Sequence, residues 1–188
     1  MYPSVTQILS PFSGIEELKR LRPNVLASAA ERGTAVHAYC EAVSTGLMPV
    51  NVRPELRGYL DSFYHWFEQV EEVVEVECRL FDMQLGFHGQ FDILCRMRGD
   101  EGLSLWDYKT PESTNRVWPV QIAAYRHLAR AHGYDTRRGG MIRLRKSGRP
   151  PLVNEYTATE RRDWNVFVSA LNVYTNLIRP LPRTRRDK

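Results

Sequence analysis

At 188 residues, with 43% hydrophobic and 26% charged side chains, the chain can bury a core as one domain and is neither disordered nor fibrous in composition. It has no apolar run of the roughly 18 residues that read as a membrane span. Its opening "MYPSVTQILSPF" lacks the basic start and long apolar stretch of a secretory signal, so a soluble cytoplasmic protein without a membrane partner is expected (host cytoplasm if phage-encoded).

The three cysteines, Cys40, Cys78 and Cys95, are scattered, which fits reduced core thiols and not the clustered spacing of a zinc or iron–sulfur site. Net charge is +4, and the excess concentrates in "RRGGMIRLRKSGR" and in the ending "RPLPRTRRDK". Either cluster suits a polyanion such as nucleic acid, and equally a charge-defended strand edge and a frayed tail. With no internal repeat and no linker composition, residues 1–179 are read as one domain and 180–188 as a flexible basic tail.

In chain order, Asn24 is a candidate cap for a helix running to about Gly46, where glycine is a stop signal. A second helix is expected from Pro54 over "PELRGYLDSFYHWFEQV", apolar at Leu56, Leu60, Phe63 and Phe67. The period then changes from 3.6 to 2. In "VVEVECRLF", Val74, Val76, Cys78 and Leu80 alternate with Glu75, Glu77 and Arg79, the pattern of a half-buried strand.

"FHGQFDILCRM" follows the turn "DMQLG" as a second strand, and "LSLWDYKT" follows "RGDEG" as a third, giving an antiparallel meander. Next come a helix over "VWPVQIAAYRHLARAHG", a strand "GMIRLRK" and a short edge strand in "PLVNEYT". The last element, residues 158–178, places Trp164, Phe167, Val168, Leu171, Tyr174 and Ile178 at helical spacing and is assigned to packing.

The charged residues at the third strand's end carry the chemical signal. Strand alternation points Asp107 and Lys109 to one face and Trp106 and Tyr108 to the other, and Pro111 stops the ladder. Taken alone, that pair reads equally well as a salt bridge at a strand end. If strand two pairs with strand three, however, Asp92 lies beside Asp107, and two adjacent carboxylates repel unless a cation neutralises them. Hard oxygen ligands favour Mg2+ or Mn2+.

Gly33, His37 and Glu41 share a helical face at i, i+4 and i+8, with His37 either a metal ligand or an interfacial histidine. Gln121 and Tyr125 share another face at i, i+4, able to hydrogen-bond a phosphate or a strand end.

Placed in order on helix, strand, strand and helix, Gly33-x-x-x-His37, Gly89-x-x-Asp92, Asp107-x-Lys109-Thr110 and Gln121-x-x-x-Tyr125 resemble the RecB-like branch of the PD-(D/E)XK nuclease superfamily. "PSVTQIL" and "ASAAERGTAVH" are similar to standalone phage and bacterial exonucleases of that branch. The resemblance covers roughly residues 4–146. It implies an α/β fold of the restriction-endonuclease-like type: a central mixed sheet containing a three-stranded antiparallel meander, flanked by helices.

The resemblance further implies a Mg2+ site, with Mn2+ as substitute, formed by Asp92, Asp107, His37 and the backbone carbonyl of Tyr108. Asp92, Asp107 and Lys109 would be the catalytic residues. Gln121 and Tyr125 would help hold DNA, as would Arg143 and Arg145, which alternation with Ile142 and Leu144 puts on an exposed face. Glu77 matches an acidic position of the first strand only loosely and stays outside the expected site.

The clustered cysteines of iron–sulfur members are absent, so no such cluster is expected. No helicase segment is present either, so unwinding would come from a helicase, single-strand-binding or recombination partner. The implied activity is a metal-dependent deoxyribonuclease acting from DNA ends, with an endonuclease or a non-catalytic DNA-binding module as the alternatives.

Overall fold

A pattern of alternating apolar residues followed by helices of 3.6-residue period can bury its apolar surface only by stacking helices on a sheet, and the computed structural model does this on both sheet faces. It describes residues 2–14 and 22–179. The helices are α1 (Val5–Leu9), α2 (Pro23–Ser44), α3 (Arg57–Phe67), α4 (Trp118–Ala131) and α5 (Glu160–Val173). The strands are β1 (Val70–Asp82), β2 (Phe87–Met97), β3 (Leu103–Lys109), β4 (Thr136–Arg143) and β5 (Leu152–Glu155).

The strands form one sheet in the order β1-β2-β3-β4-β5. β1, β2 and β3 pair antiparallel, the expected meander. β4 pairs parallel with β3, a crossover made by α4, and β5 returns antiparallel. The result is an α/β architecture with a mixed five-stranded sheet between helices, as the sequence reading expects.

One core lies between the sheet and α1, α4 and α5, built on Phe87, Phe91, Leu105, Leu128, Met141 and Phe167. The other lies under α2 and α3 and is aromatic. Phe63 meets Tyr108 edge-on at 5.3 Å, and Trp66 meets Trp106 and Tyr108, each at 6.2 Å. Trp106 and Tyr108 therefore face α3 while Asp107 and Lys109 face α4, as strand alternation predicts.

Several boundaries differ from the sequence reading for local reasons. Asn24 is not a cap: Pro23 takes the first helical turn, Arg22 precedes it, and no side chain caps the start. The short α1 begins at a capping box in which Ser4 and Gln7 bond each other's backbone, an S-x-x-Q signal present in the sequence. β1 starts at Val70 and contains two register shifts, before Glu72 and before Glu75. β4 starts at Thr136 and not at Gly140, taking Gly139 into the strand as well; a Cβ on Gly139 would lie 2.6 Å from Arg126 of α4, and one on Gly140 2.1 Å from the Asn154 carbonyl oxygen of β5.

Gly89 sets how close α4 can approach. A Cβ there would lie 2.8 Å from Leu128 and 2.8 Å from Tyr125, both buried on α4. Gly89→Ala is expected to lower stability by about 1–3 kcal/mol through overpacking, read as a lower denaturant midpoint at unchanged m-value.

Candidate functional site

β2 and β3 keep a regular ladder only over Ile93↔Trp106, Leu94↔Leu105 and Cys95↔Ser104. Beyond Ile93 the strand reverses its faces: Phe91 packs in the α4 core and Ile93 in the α3 core, so both apolar neighbours of Asp92 are buried on opposite sides of the sheet. Asp92 sits at that reversal, and its Oδ2 accepts the backbone N–H of Tyr108, taking the place of a ladder partner. Asp92, in the middle of β2, thus joins the two strands by its side chain where their backbones no longer pair.

His37 closes the arrangement from α2. Its Nδ1 lies 3.0 Å from Asp92 Oδ1 and its Nε2 3.0 Å from the Tyr108 carbonyl oxygen, so both ring nitrogens face acceptors. Two acceptors are satisfied together only by the imidazolium. Burial alone would lower the His37 pKa, but the charge and hydrogen bond of Asp92 outweigh it and raise it to about 9.

Burial would raise Asp92, and His37 and Lys109 hold it below its ordinary value. Asp107 goes the other way, to about 6, because burial and the charge of Asp92 exceed the help from Lys109 and His37. Two neighbouring carboxylates pushed apart in this way are short of positive charge.

On the α4 side, Lys109 Nζ donates to Asp107 Oδ2. Gln121 Nε2 donates to the other oxygen, Oδ1, at 3.4 Å and contacts Tyr125 Oη at 2.9 Å. Gln121 and Tyr125 are buried beneath Asp107, 6% and 2% exposed, and of the two only Gln121 reaches the adjoining cleft. Asp92 and Asp107 are themselves 6% and 3% exposed, so the site's carboxylates are nearly removed from water.

Glu77, set aside in the sequence reading, is part of this cluster. Ligand atoms of His37, Glu77 and Asp92 lie within 4.8 Å of one another. Strict alternation puts Glu77 on a solvent face with Glu75 and Arg79. Instead its φ of +49° rotates that peptide into the left-handed region, where a glutamate is strained. The carboxylate is half-buried and its pKa is pushed up to about 7 by burial and by Asp92, against the hydrogen bond from Gln90. Gln90 Nε2 donates to Glu77 at 2.6 Å, while the Gln90 oxygen accepts two bonds from Arg79 at 3.1 and 2.8 Å. The sequence carried a faint sign of this in the loose match of Glu77 to an acidic first-strand position of the resembled family, but nothing of the backbone rotation.

Arg143 is Lys109's register partner on β4 and therefore shares its face. Neither Arg143 nor Arg145 is fully exposed, contrary to the alternation argument. Arg143 Nη1 donates to the Glu112 carbonyl at 2.9 Å, and the strand ends there, so Arg145 lies in the following turn with its N–H on Ser62 Oγ at 3.0 Å. Both line a basic cleft with Lys146. Arg183, Arg185 and Arg186 of the tail lie outside the described residues.

A sequence model of the PD-(D/E)XK nuclease superfamily matches residues 51–182, most of the chain and every strand of the sheet. The chain belongs to that superfamily. The matched span includes Glu77, Asp92, Asp107, Lys109 and Gln121, while His37 precedes it. No curated protein matches the chain. None of the described helices is long and apolar enough to cross a membrane.

PD-(D/E)XK nucleases use divalent metal ions, and the donor set fits one: buried carboxylates, a backbone carbonyl and an imidazole whose proton neutralises the same acceptors. Asp92, His37 and Glu77, whose ligand atoms cluster, would hold the ion with the Tyr108 carbonyl; Asp107, which the sequence reading includes in the ligand set, is not among the clustered atoms and would join as a further carboxylate.

Because ligands must bind the metal deprotonated, affinity should track these groups. Asp107 and Glu77 hold protons below about 6 and about 7, and His37 keeps its own until about 9. Apparent Mn2+ affinity is therefore expected to strengthen steadily from pH 6 to pH 9, with about one proton released per ion at pH 8, chiefly from His37. Titration calorimetry in buffers of different ionisation enthalpy measures that release; binding without proton release would remove His37 from the ligand set.

Proposed function

We propose that this superfamily member is a Mg2+-dependent deoxyribonuclease of the RecB-like type that hydrolyses phosphodiester bonds from DNA ends. The observation that carries the reading is the joint burial of Asp92 and Asp107 at the split between β2 and β3, with Lys109 in contact with Asp107 and a cleft opening beside Lys109. A divalent ion bound there would lower the pKa of its water and offset charge on a scissile phosphate.

The protein's own groups do the rest. Gln121 fixes one Asp107 oxygen, and Asp92 fixes the β3 backbone at Tyr108, so the carboxylates keep their spacing. Lys109, on the last residue of β3 and partly exposed at its side chain, presents an ammonium to the reacting phosphate and positions the nucleophile. Arg143, Arg145 and Lys146, in the neighbouring basic cleft, supply positive charge for backbone phosphates.

Action from ends, the DNA substrate and the RecB-like branch rest on the resemblance of the ordered motifs. A helicase or single-strand-binding partner would deliver unwound DNA in recombination, repair or replication.

The test compares end-labelled linear DNA with covalently closed circles in Mg2+, Mn2+ or EDTA. Linear DNA is expected to shorten progressively in metal, closed circles to resist, and EDTA to stop the reaction. Efficient linearisation of circles would favour an endonuclease. Asp107→Asn is expected to lose metal binding and cleavage together while remaining folded. Lys109→Ala is expected to cut single-turnover cleavage by about 10²–10³-fold with DNA affinity nearly intact. Unchanged turnover in either variant would break the site assignment.

A further inference from the structure

The site opens on two unlike clefts that share Pro111. The one containing Arg143, Arg145 and Lys146 is basic. The other, about 540 Å³, lies between α1, the first turns of α2 and the loop leading into α4, and Lys109 and Gln121 form its inner end. Its walls are mainly apolar, with Leu9, Val25, Leu26 and Trp118 among them, and among the described residues its charged members besides Lys109 are Arg22 and Arg32. The Nε of Arg32 is buried and has no hydrogen-bond partner among the described residues.

This combination selects a ligand. A groove that only tracked a sugar–phosphate backbone would need charge and no apolar wall, as in the neighbouring cleft. A purely apolar ligand would leave the buried Arg32 Nε without a hydrogen-bond partner. A nucleotide satisfies both, with a flat, largely apolar base joined to an anionic phosphate. The volume falls within the range of about 300–1,000 Å³ usual for small-molecule sites. The inner end is already the candidate catalytic lysine, so the bound phosphate lies next to the scissile one.

We propose that this cleft binds one unpaired nucleotide of the cleaved strand, immediately beside the scissile phosphate, with its base on the apolar wall and its phosphate at Arg22 and Arg32. The assignment rests on the nuclease reading above and deepens it. A base can lie on that wall only when it has left its stack and its pairing partner, so the site selects a single-stranded or frayed end.

The experiment uses the full chain. Equilibrium dialysis in EDTA measures binding of dAMP, deoxyadenosine and inorganic phosphate, and a parallel assay measures inhibition by dAMP of Mg2+-dependent cleavage of a labelled single-stranded oligonucleotide. Binding of dAMP at least about tenfold tighter than either fragment is expected, with competitive inhibition of cleavage. Arg32→Gln should weaken dAMP about tenfold by removing a charged hydrogen bond. Val25→Asp, at a position 63% exposed and tolerant of substitution, should weaken it by placing a carboxylate on the apolar wall. Melting curves report that both variants fold.

If dAMP binds no better than phosphate, or neither substitution weakens it, or inhibition is not competitive, the proposal is overturned while a cleaving wild-type protein leaves the nuclease reading standing. If wild-type protein does not cleave in any metal, the nuclease reading falls and the assignment of the cleft to a cleaved strand falls with it.

Discussion

A buried carboxylate that takes a backbone amide in place of a strand partner organises this molecule. Asp92 binds the Tyr108 N–H at the point where β2 and β3 cease to pair, and binds His37 of α2 with its other oxygen. Through Asp92 the sheet, the α3-side core and α2 are tied at one place. The face reversal between Phe91 and Ile93 puts one neighbour of Asp92 into each core, so moving the carboxylate would mean unpacking both. Burying that charge is tolerable because an imidazolium and an ammonium are close by: removing His37, which holds it by both charge and hydrogen bond, would leave it undercompensated, at a cost of several kcal/mol. A bound cation would take over that compensation, so the same geometry that makes the metal-free fold dependent on His37 makes the site a metal trap.

The rest of the fold holds this junction at the right spacing. Gly89 lets α4 approach close enough for Gln121 to reach Asp107, and Tyr125 locks Gln121 from below. Glu77 is brought to the cluster by a strained peptide, and its carboxylate is held by Gln90 and, through Gln90, by Arg79. Strain kept in a half-buried acidic residue beside two other candidate ligands is the kind of local cost that functional sites carry. Strands and helix faces supply these groups, which suits chemistry that depends on sub-ångström placement.

The sequence made the regular parts legible. Alternation in "LSLWDYK" put Asp107 and Lys109 together because β3 is an undistorted strand, and short turns around it required the meander that brings Asp92 alongside. The i, i+4 spacing of Gln121 and Tyr125 likewise survived in α4. What escaped were departures from periodicity. The left-handed φ at Glu77 and the face switch at Asp92 leave no mark in a hydrophobic pattern, and the pattern therefore sent Glu77 to solvent. Asn24 has capping chemistry but stands after Pro23, whose fixed φ begins the helix first. The strand expected from Gly140 starts earlier, at Thr136, and only the nearness of α4 to Gly139 and of β5 to Gly140 explains two glycines inside it. Arg143 and Arg145 alternate in sequence, yet the strand ends between them.

The most direct measurement of the central claim is anomalous scattering from crystals of the protein grown with Mn2+. The account predicts a manganese peak bounded by the Asp92 and Asp107 carboxylates and the Tyr108 carbonyl, with the imidazole of His37 released from at least one of its two hydrogen bonds to face the ion. A peak elsewhere, or no peak while His37 keeps both bonds, would contradict it.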